Sequence, residues 1–278
     1  MSDREMSDQA DQFPALSAAC SRIRKNWMPD QPYTVDTIGM SGSRILLFPD
    51  KVLKIQPASA EAEREVQMMQ WCLGKLPVPR VLAYEVQEKM SYLLMTRAEG
   101  KMSCDASYME QPEVLTEMLA DGLKRLWQVD TTDCPCHQML AQKLKAAEQN
   151  VRQGLVDLDN VEPETFGPEG FADPQALLDW LYANQPAEEP VLSHGDFCLP
   201  NIFGKGNQVS GYIDLGRAGV ADKWQDIALC YRSLRDNYGT RYGGVQYTGF
   251  WPELLFEKLG IEPDWEKIRY YILLDELF

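Results

Sequence analysis

Short runs of apolar residues, each only a few residues long, dominate the chain between residues 33 and 96. These runs are rich in β-branched and aromatic residues and are separated by turn residues, which is typical of antiparallel strands. We predict strands at residues 33–35, 44–48, 51–55, 78–84 and 90–96. Residues 61–71 interrupt the strands with apolar side chains at helical spacing. The pattern therefore predicts a five-stranded antiparallel lobe with one helix.

From Val114 onward the apolar positions recur every three or four residues, as on one face of a helix. This spacing predicts helices after Val114, over 139–151, from Asp173-Pro174 and from Pro263-Asp264. The predicted fold is therefore α+β and bilobal, with an N-terminal lobe at residues 15–97 and a mainly α-helical C-terminal lobe at residues 98–278. Residues 1–14 carry almost no apolar side chains and are predicted to be a mobile tail.

Composition narrows the classes of partner. The 278 residues carry 27 basic and 42 acidic side chains, which gives a net charge of −15. Such a charge repels nucleic acids and anionic membranes and attracts polycations. The sequence shows neither a long apolar run nor a secretory signal, and its seven cysteines are odd in number. We expect a cytoplasmic protein with reduced thiols and with neither a nucleic acid nor a membrane as partner.

Two short motifs carry the candidate chemistry. The first contains His194-Gly195-Asp196 and, five residues after the aspartate, Asn201; the second is Asp214-Leu215-Gly216. Phosphoryl transfer to a hydroxyl needs a carboxylate beside the hydroxyl and oxygen ligands for Mg²⁺. Either motif alone also suits an ordinary turn, but the pair, each after an apolar strand-like run, favours catalysis. We therefore predict Asp196 as the catalytic residue and Asn201 and Asp214 as metal ligands.

These motifs resemble the catalytic and metal loops of the protein-kinase-like superfamily. The resemblance implies that Lys54 contacts the nucleotide phosphates and is held there by Glu65, with Glu63 as the alternative partner. It also implies that backbone groups of Thr96 and Ala98 read the adenine edge at the hinge between the lobes. The N-terminal lobe would then bind the nucleotide, and the C-terminal lobe would hold the catalytic and acceptor-binding residues.

Three longer blocks are similar to the aminoglycoside 3′-phosphotransferases. They are residues 76–82, 211–228 and 263–278, and the resemblance extends from about Ile38 to the C-terminus. It implies ATP-dependent phosphorylation of the 3′-hydroxyl of kanamycin- and neomycin-type antibiotics, which confers resistance. The implied cofactors are ATP, with GTP as the alternative, and Mg²⁺, and the implied partner is an aminoglycoside.

The same resemblance implies further binding residues. Met40 and Ser41 would lie over the phosphates, and Ile213 would pack against the nucleotide. The acceptor would bind to a mostly acidic set, which is Glu162, Glu164, Arg217, Asp236, Asp275, Glu276 and Phe278 with its terminal carboxylate. Several carboxylates have to converge, because one exposed ion pair contributes about 0.2–1 kcal/mol whereas micromolar binding needs about 8 kcal/mol.

The last carboxylates can also be placed by spacing alone. The helix predicted from Pro263-Asp264 carries an apolar stripe at positions 265, 268 and 272, and continuing the stripe leads to Asp275 and Glu276. Negative charge at a helix C-terminus opposes the helix dipole, by about 0.3–1 kcal/mol for each charge. We therefore expect a cationic ligand to relieve this repulsion.

Two departures from the family pattern bear on specificity. Val52 stands where relatives can carry an aromatic residue that stacks on adenine, which leaves GTP open as the nucleotide. The stretch 237–251, rich in glycine and tyrosine, is longer than the corresponding link and is expected to reshape the acceptor pocket.

Two other functions stay open as alternatives. One is a kinase for another amino sugar, for choline or for a macrolide hydroxyl, and the acidic acceptor residues disfavour a neutral or anionic acceptor. The other is a non-catalytic binder of cationic ligands, which the presence of Lys54, Glu65, Asp196, Asn201 and Asp214 disfavours.

Overall fold

The computed structural model describes residues 32–35, 43–159, 161–239, 241 and 245–278. The predicted tail, residues 1–14, lies outside the described residues. The described chain divides into two compact units. The first contains the residues up to Ala62 together with Arg80–Arg97, and the second contains Glu63–Pro79 together with Ala98–Phe278.

A five-stranded antiparallel sheet forms the first unit, as the short runs of strand-forming residues predicted. Its strands are β1 (Thr34–Val35), β2 (Arg44–Leu47), β3 (Lys51–Pro57), β4 (Val81–Gln87) and β5 (Met90–Thr96), in the order β1-β2-β3-β5-β4. One face of the sheet buries Leu46, Phe48, Leu53, Ile55, Tyr92 and Leu94. Because successive side chains alternate between the faces, Lys54 lies on the opposite face from Leu53 and Ile55.

Helix α1 (Ala60–Cys72) belongs to both units, since the second unit begins at Glu63. Within the second unit, Arg64 Nε donates to the carbonyl oxygen of Gly216 at 3.2 Å, and Trp71 Nε1 donates to Asp133 Oδ1 at 3.1 Å. Residues 63–79, which the prediction counted in the N-terminal lobe at 15–97, thus belong to the second unit. Periodicity identifies such a helix but not the surface against which it packs.

The second unit is mainly helical. Its helices are α2 (Ala106–Met109), α3 (Pro112–Trp127), α4 (Leu140–Gln153), α5 (Pro174–Ala183), α6 (Lys223–Tyr238), α7 (Leu254–Leu259) and α8 (Trp265–Asp275). The predicted starts are confirmed by caps, because Asp173 Oδ1 accepts from Ala176 N at 2.8 Å and Asp264 Oδ1 accepts from Lys267 N at 3.0 Å. Helix α6 was not predicted, because its first half is buried on every side and lacks an apolar stripe.

Two small sheets hold the loops that carry the candidate motifs. Strand β7 (Pro190–Ser193) pairs with β10 (Gly219–Asp222), and a second sheet consists of β6 (Lys101–Met102), β8 (Ile202–Lys205) and β9 (Gln208–Tyr212). The first candidate motif therefore joins β7 to β8, and the second joins β9 to β10. Among the described residues, no helix is both long and apolar enough to cross a membrane.

Candidate active site

A buried carboxylate fixes the loop after β7. Asp226 in the first turn of α6 accepts from His194 N at 2.6 Å and from Gly195 N at 2.9 Å. Burial raises the pKa of Asp226, and the two peptide N–H donors and His194 oppose that shift. A buried carboxyl that accepts two peptide N–H groups fixes the backbone conformation of the loop. Sequence analysis did not single out Asp226, since its role appears only when α6 and the loop come together.

Gly195 allows a close approach between the two candidate motifs. Its φ is +84°, and a Cβ at this position would overlap the carbonyl oxygen of Arg217. Gln225 Nε2 donates to the carbonyl oxygen of Gly195 at 2.8 Å. Only glycine combines this left-handed conformation with the close approach of a neighbouring backbone. The backbone geometry therefore requires glycine at position 195.

Asp196 and Asn201 lie in direct contact. Asn201 Nδ2 donates to Asp196 Oδ2 at 2.9 Å and to the carbonyl oxygen of Asp196 at 3.1 Å. Burial, and the adjacent Asp196 carboxylate, raise the pKa of the Cys198 thiol well above its usual value, so this thiol stays protonated and donates to Asp196. The carboxylate is thus oriented by an amide and a thiol, both of which are uncharged. It is partly exposed, so a hydroxyl can reach it.

Asp214 adopts an uncommon backbone conformation. Its φ and ψ are +59° and +56°, in the left-handed region that residues other than glycine rarely occupy. The conformation is fixed on both sides, because Ile213 N donates to the carbonyl oxygen of Asn201 at 3.1 Å and Ala218 N donates to that of Leu215 at 3.1 Å. Such strain tends to persist where a side chain has to take a particular direction. The Ile213 contact brings the residue before Asp214 against Asn201.

The chemistry of these donors fits Mg²⁺. Asp214 offers carboxylate oxygens, and Asn201 offers an amide oxygen, because its Nδ2 group is turned toward Asp196. No cluster of three or more His, Cys, Asp or Glu side chains that could hold a metal occurs in the described part of the chain. Mg²⁺ usually keeps water and phosphate ligands beside one or two protein groups, so a small donor set of this kind suits it.

The predicted nucleotide-contacting residues are spread over both units. Lys54 on β3 is 6% exposed and Glu65 on α1 is 1% exposed. Charged side chains are seldom so deeply buried unless they are paired. Lys54 belongs to the first unit and Glu65 to the second, and their pairing stays a prediction. Met40 and Ser41 lie outside the described residues.

Thr96 can offer only one of its two backbone groups to a nucleotide. Its N–H donates to the carbonyl oxygen of Arg80 at 3.0 Å, and its hydroxyl accepts from Arg80 N at 2.9 Å. The carbonyl oxygen of Thr96 is therefore the group that suits the predicted contact with adenine. In the second unit, a Cβ at Gly211 would lie 2.9 Å from Ala98 Cβ, so glycine is needed where Ala98 packs near β9.

The predicted acceptor carboxylates at the end of α8 are bound by arginines. Arg217 Nη1 lies 3.2 Å from Asp275 Oδ1, and Arg232 binds Asp275 Oδ2 through Nη2 and Glu276 Oε1 through Nη1, the latter at 3.3 Å. The peptide N–H of Glu162 donates to Glu276 Oε2 at 2.8 Å. The repulsion expected at this helix C-terminus is therefore already offset by the chain's own guanidinium groups, and its relief by a cationic ligand stays a prediction.

The pKa values of the two carboxyls at the end of α8 move in opposite directions. Burial favours the neutral form of Asp275. The guanidinium groups of Arg232 and Arg217 outweigh this effect and hold the pKa of Asp275 below its usual value. Burial raises the pKa of Glu276 to about 7, although the Glu162 N–H and Arg232 act against it. At neutral pH, Asp275 is therefore charged while Glu276 is divided between its two forms.

Glu162 and Asp236 form a second group of ion pairs. Arg235 Nη2 lies 2.5 Å from Glu162 Oε1, and its Nε lies 2.7 Å from Asp236 Oδ1. Arg241 Nη1 lies 2.7 Å from Glu162 Oε1 and 3.4 Å from Asp236 Oδ2. Sequence analysis missed Arg232, Arg235 and Arg241. The spacing of the first two along α6 is the only signal that could have revealed them, and it requires that helix to be recognised.

The remaining predicted acceptor residues lie nearby in the second unit. The ring centroid of Phe278 is 5.4 Å from the Arg217 guanidinium, and the carbonyl oxygen of Leu277 accepts from Asn150 Nδ2 at 2.9 Å. Glu164 is exposed and lines a cavity of about 970 Å³. The walls of this cavity carry charges of both signs, since the carboxylates of Glu162 and Glu169 face it together with the guanidinium groups of Arg235 and Arg269. Its aromatic walls include Phe171, Tyr231 and Trp265.

Comparisons with known proteins give a consistent picture. The model of the phosphotransferase enzyme family matches residues 40–271. The chain is 46% identical to an aminoglycoside 3′-phosphotransferase of Enterococcus faecalis over 220 residues, which is 78% of this chain and 79% of the relative. It is 41% identical to an aminoglycoside 3′-phosphotransferase of Staphylococcus aureus over 253 residues, which is 87% of this chain and 92% of the relative.

Solved structures agree in fold. An aminoglycoside phosphotransferase of the 3″ type from Streptomyces rimosus superposes with a TM-score of 0.79 at 27% identity, over 95% of this chain and 99% of that one. The same enzyme has been solved with ADP and streptomycin. An aminoglycoside 3′-phosphotransferase of type VIII gives a TM-score of 0.76 at 26% identity, over 90% of this chain and 94% of that one.

Proposed function

The chain belongs to the phosphotransferase enzyme family, and from this premise we propose that it transfers the γ-phosphoryl group of ATP to the 3′-hydroxyl of aminoglycosides of the kanamycin and neomycin type. Relatives that are 40–46% identical are named for this reaction. The observation that carries the proposal is the contact between Asn201 and Asp196, which holds a partly exposed carboxylate in one orientation. The product is a phosphorylated antibiotic, so the activity confers resistance.

Asp196 acts on the acceptor hydroxyl. Its carboxylate accepts a hydrogen bond from that hydroxyl and orients the oxygen toward the γ-phosphorus. It takes the proton as the new O–P bond forms and the bond from the γ-phosphorus to the β,γ-bridging oxygen breaks, which releases ADP. Asn201 and the Cys198 thiol keep the carboxylate in place, and the Asp226 carboxyl holds the loop backbone. Most of the rate enhancement then comes from positioning, as expected for a phosphoryl group that passes through a loose transition state.

ATP is the phosphoryl donor, with GTP as the alternative that Val52 leaves open. Lys54 and Glu65 would act at the phosphates, Ile213 would pack against the base, and the backbone of Thr96 and Ala98 would contact its edge. Residues 15–97 would thus serve as the nucleotide-binding lobe. Met40 and Ser41 complete the proposed set.

Asn201 and Asp214 would hold Mg²⁺, because they offer an amide oxygen and carboxylate oxygens. When bound, the ion neutralises charge on the phosphate oxygens. We also propose a cytoplasmic location. ATP is abundant in the cytoplasm, and the described cysteines are free thiols, as expected in a reducing compartment.

The acceptor binds through its ammonium groups to a cluster of carboxylates in the C-terminal lobe, residues 98–278. The proposed carboxylate ligands are Glu162, Glu164, Asp236, Asp275 and Glu276, and Phe278 belongs to the same proposed acceptor-binding set. Arg217 and Arg232 position Asp275 and Glu276 for this contact. The carboxylates already interact with arginines, so a polyamine has to bind them more strongly than the arginines do. It can, because several of its ammonium groups contact several carboxylates at once.

A single assay tests the reaction and its position. ATP consumption is measured with kanamycin A and with a 3′-deoxy kanamycin, and the product is located by NMR. We expect turnover of kanamycin A with phosphate on the 3′-oxygen and almost no turnover of the 3′-deoxy compound. Equal turnover of both compounds, or phosphate at the 3″ position, would contradict the proposed position. Consumption of ATP with choline or a macrolide instead would support the alternative kinase.

A further inference from the structure

Glu162 and Asp236 already hold a cation that belongs to the protein. Arg241 Nη1 lies between their carboxylates, 2.7 Å from Glu162 Oε1 and 3.4 Å from Asp236 Oδ2. Its other terminal nitrogen, Nη2, donates to the carbonyl oxygen of Val161 at 3.0 Å. One nitrogen between two carboxylates, close to a peptide carbonyl, is the arrangement that the ammonium group of a ligand would also take.

Arg235 binds the same two carboxylates, but the two arginines differ in how the chain holds them. Arg235 lies within α6, so its backbone is fixed by the helix. Arg241 lies beyond the last helical residue, Tyr238, and its N–H donates to the carbonyl oxygen of Asp236 at 3.1 Å. Exposure does not distinguish the two arginines in favour of Arg241, because the side chain of Arg235 is 37% exposed and that of Arg241 is 29% exposed. The difference lies in the backbone: Arg241 follows the helix, so the whole residue can move away from the carboxylates, whereas Arg235 can leave them only by changing its rotamer.

The charges of this cluster are balanced as long as both arginines stay in place. Glu162 and Asp236 supply two negative charges, and Arg235 and Arg241 supply two positive charges. An ammonium group that approaches this neutral cluster gains little attraction. It gains the full attraction of the carboxylates only if one guanidinium group leaves.

We propose that Arg241 is a specificity-determining residue that occupies an ammonium subsite between Glu162 and Asp236 until an amino group of the acceptor displaces it. This inference rests on the proposed function, whose acceptor is a polycation. It also gives a role to the 237–251 stretch, which sequence analysis distinguished only by its length and composition. Acceptors without an ammonium group at this position leave Arg241 in place and gain nothing from the subsite.

Two variants remove the Arg241 guanidinium group from the proposed ammonium subsite. In Arg241→Ala and Arg241→Gln, we expect the KM for kanamycin A to fall by about three- to tenfold, because the acceptor no longer has to break two partly exposed ion pairs. The kcat should stay within about twofold of the wild-type value. Arg241→Lys keeps a cation of similar reach and should retain a KM close to that of the wild type.

The matched control is Arg152→Ala. Arg152 is also an arginine in an ion pair, 2.6 Å from Glu148, but it lies in the last turn of α4 and its side chain is 71% exposed. This variant changes the net charge by the same amount, so a general charge effect would lower its KM equally. We expect its KM to be unchanged.

Chemical replacement gives an independent readout. In Arg241→Ala, free guanidinium ion at tens of millimolar should occupy the emptied position and raise the KM toward the wild-type value, whereas equal sodium chloride should raise it less. Wild-type enzyme should respond alike to the two salts. A purely structural role of Arg241 predicts no difference between guanidinium and sodium in either protein.

The outcomes separate this inference from the proposed function. If wild-type enzyme phosphorylates no aminoglycoside, the proposed function fails, and calorimetric Kd values for kanamycin A still test Arg241, because its removal should tighten binding. An unchanged or weaker affinity in Arg241→Ala and Arg241→Gln, with melting temperatures near that of the wild type, overturns the inference. So does an equal gain in Arg152→Ala. Arg241→Gln retains the stem of the side chain if Arg241→Ala folds poorly.

Discussion

The catalytic loop and the acceptor carboxylates treat negative charge in opposite ways. In the loop, the Asp196 carboxylate is oriented by the Asn201 amide and the Cys198 thiol, which are neutral. At the end of α8, the Asp275 carboxylate is bound by the guanidinium groups of Arg217 and Arg232. The neutral donors orient the Asp196 carboxylate without offsetting its negative charge, so the carboxylate can still accept a proton. The guanidinium groups offset the negative charge of Asp275 and hold its carboxylate in place. The two functions that we propose for carboxylates, proton transfer and cation binding, are thus assigned to groups with different partners.

Among the variants that test this comparison, Asp196→Asn is expected to have the largest effect on kcat. The variant keeps the size of the side chain but removes the group that takes the proton, so kcat should fall by about 10²–10⁴-fold. Binding of kanamycin A, measured by calorimetry, should change little, because its ammonium groups contact other carboxylates. Asp179→Asn, an exposed carboxylate on α5, is the control. A kcat near the wild-type value would remove Asp196 from the mechanism.

Asp226→Ala tests whether the conformation of the loop that carries Asp196 depends on one buried carboxyl. The change leaves the N–H of His194 without its carboxylate acceptor and leaves the N–H of Gly195 with the Ser193 hydroxyl alone, which should lower the free energy of unfolding by about 1–3 kcal/mol. Urea denaturation measures the loss, and Asp121→Ala on the surface of α3 serves as the control. If both variants lose equally little, the loop is held by other contacts.

Glu276→Gln tests whether Glu276 has the raised pKa that distinguishes it from the neighbouring Asp275. Because folding raises the pKa of Glu276 from 4.5 to about 7, the folded chain takes up a proton between these values. The free energy of unfolding should therefore decrease as pH rises through this window, by up to about 3 kcal/mol. Glutamine cannot titrate, so the variant should show a flatter profile between pH 4.5 and 7. Identical profiles for the two proteins would show that Glu276 keeps its ordinary pKa.

Ionic strength should produce the smallest effect. Salt screens partly exposed charges, so the KM for kanamycin A should rise severalfold between about 0.01 M and 0.3 M sodium chloride. The kcat should hardly change, since Asp196 is oriented by neutral donors. Steady-state kinetics at fixed pH separates the two constants. A parallel fall of kcat would show that the loop responds to charge as the acceptor carboxylates do.

Local rules predicted much of the fold. Runs of strand-forming residues located the strands of the first sheet, and Asp173 and Asp264 marked helix starts that the structure confirms. In these elements a few neighbouring residues decide the local geometry. The spacing of Asp196, Asn201 and Asp214 indicated a shared site, and the loops do bring Asn201 against Asp196 and against the residue before Asp214.

Features that depend on distant parts of the chain were not predictable. Helix α6 has no apolar stripe, because both of its faces are buried in its first half, and with it the sequence analysis missed Asp226, Arg232 and Arg235. The acidic residues were correctly singled out as charged, but their arginine partners come from other elements. No pattern in a single segment reveals that Arg241 returns to Glu162, which precedes it by 79 positions.

Gly195 limits how this chain can change. Every amino acid that one base change can reach from a glycine codon carries a Cβ, and a Cβ here would overlap the backbone of Arg217. No rotamer adjustment relieves a collision with a carbonyl oxygen, so a substitution at position 195 forces the backbone of one of the two loops to move. We therefore expect every single-base missense mutation of this codon to disturb the loop that orients Asp196.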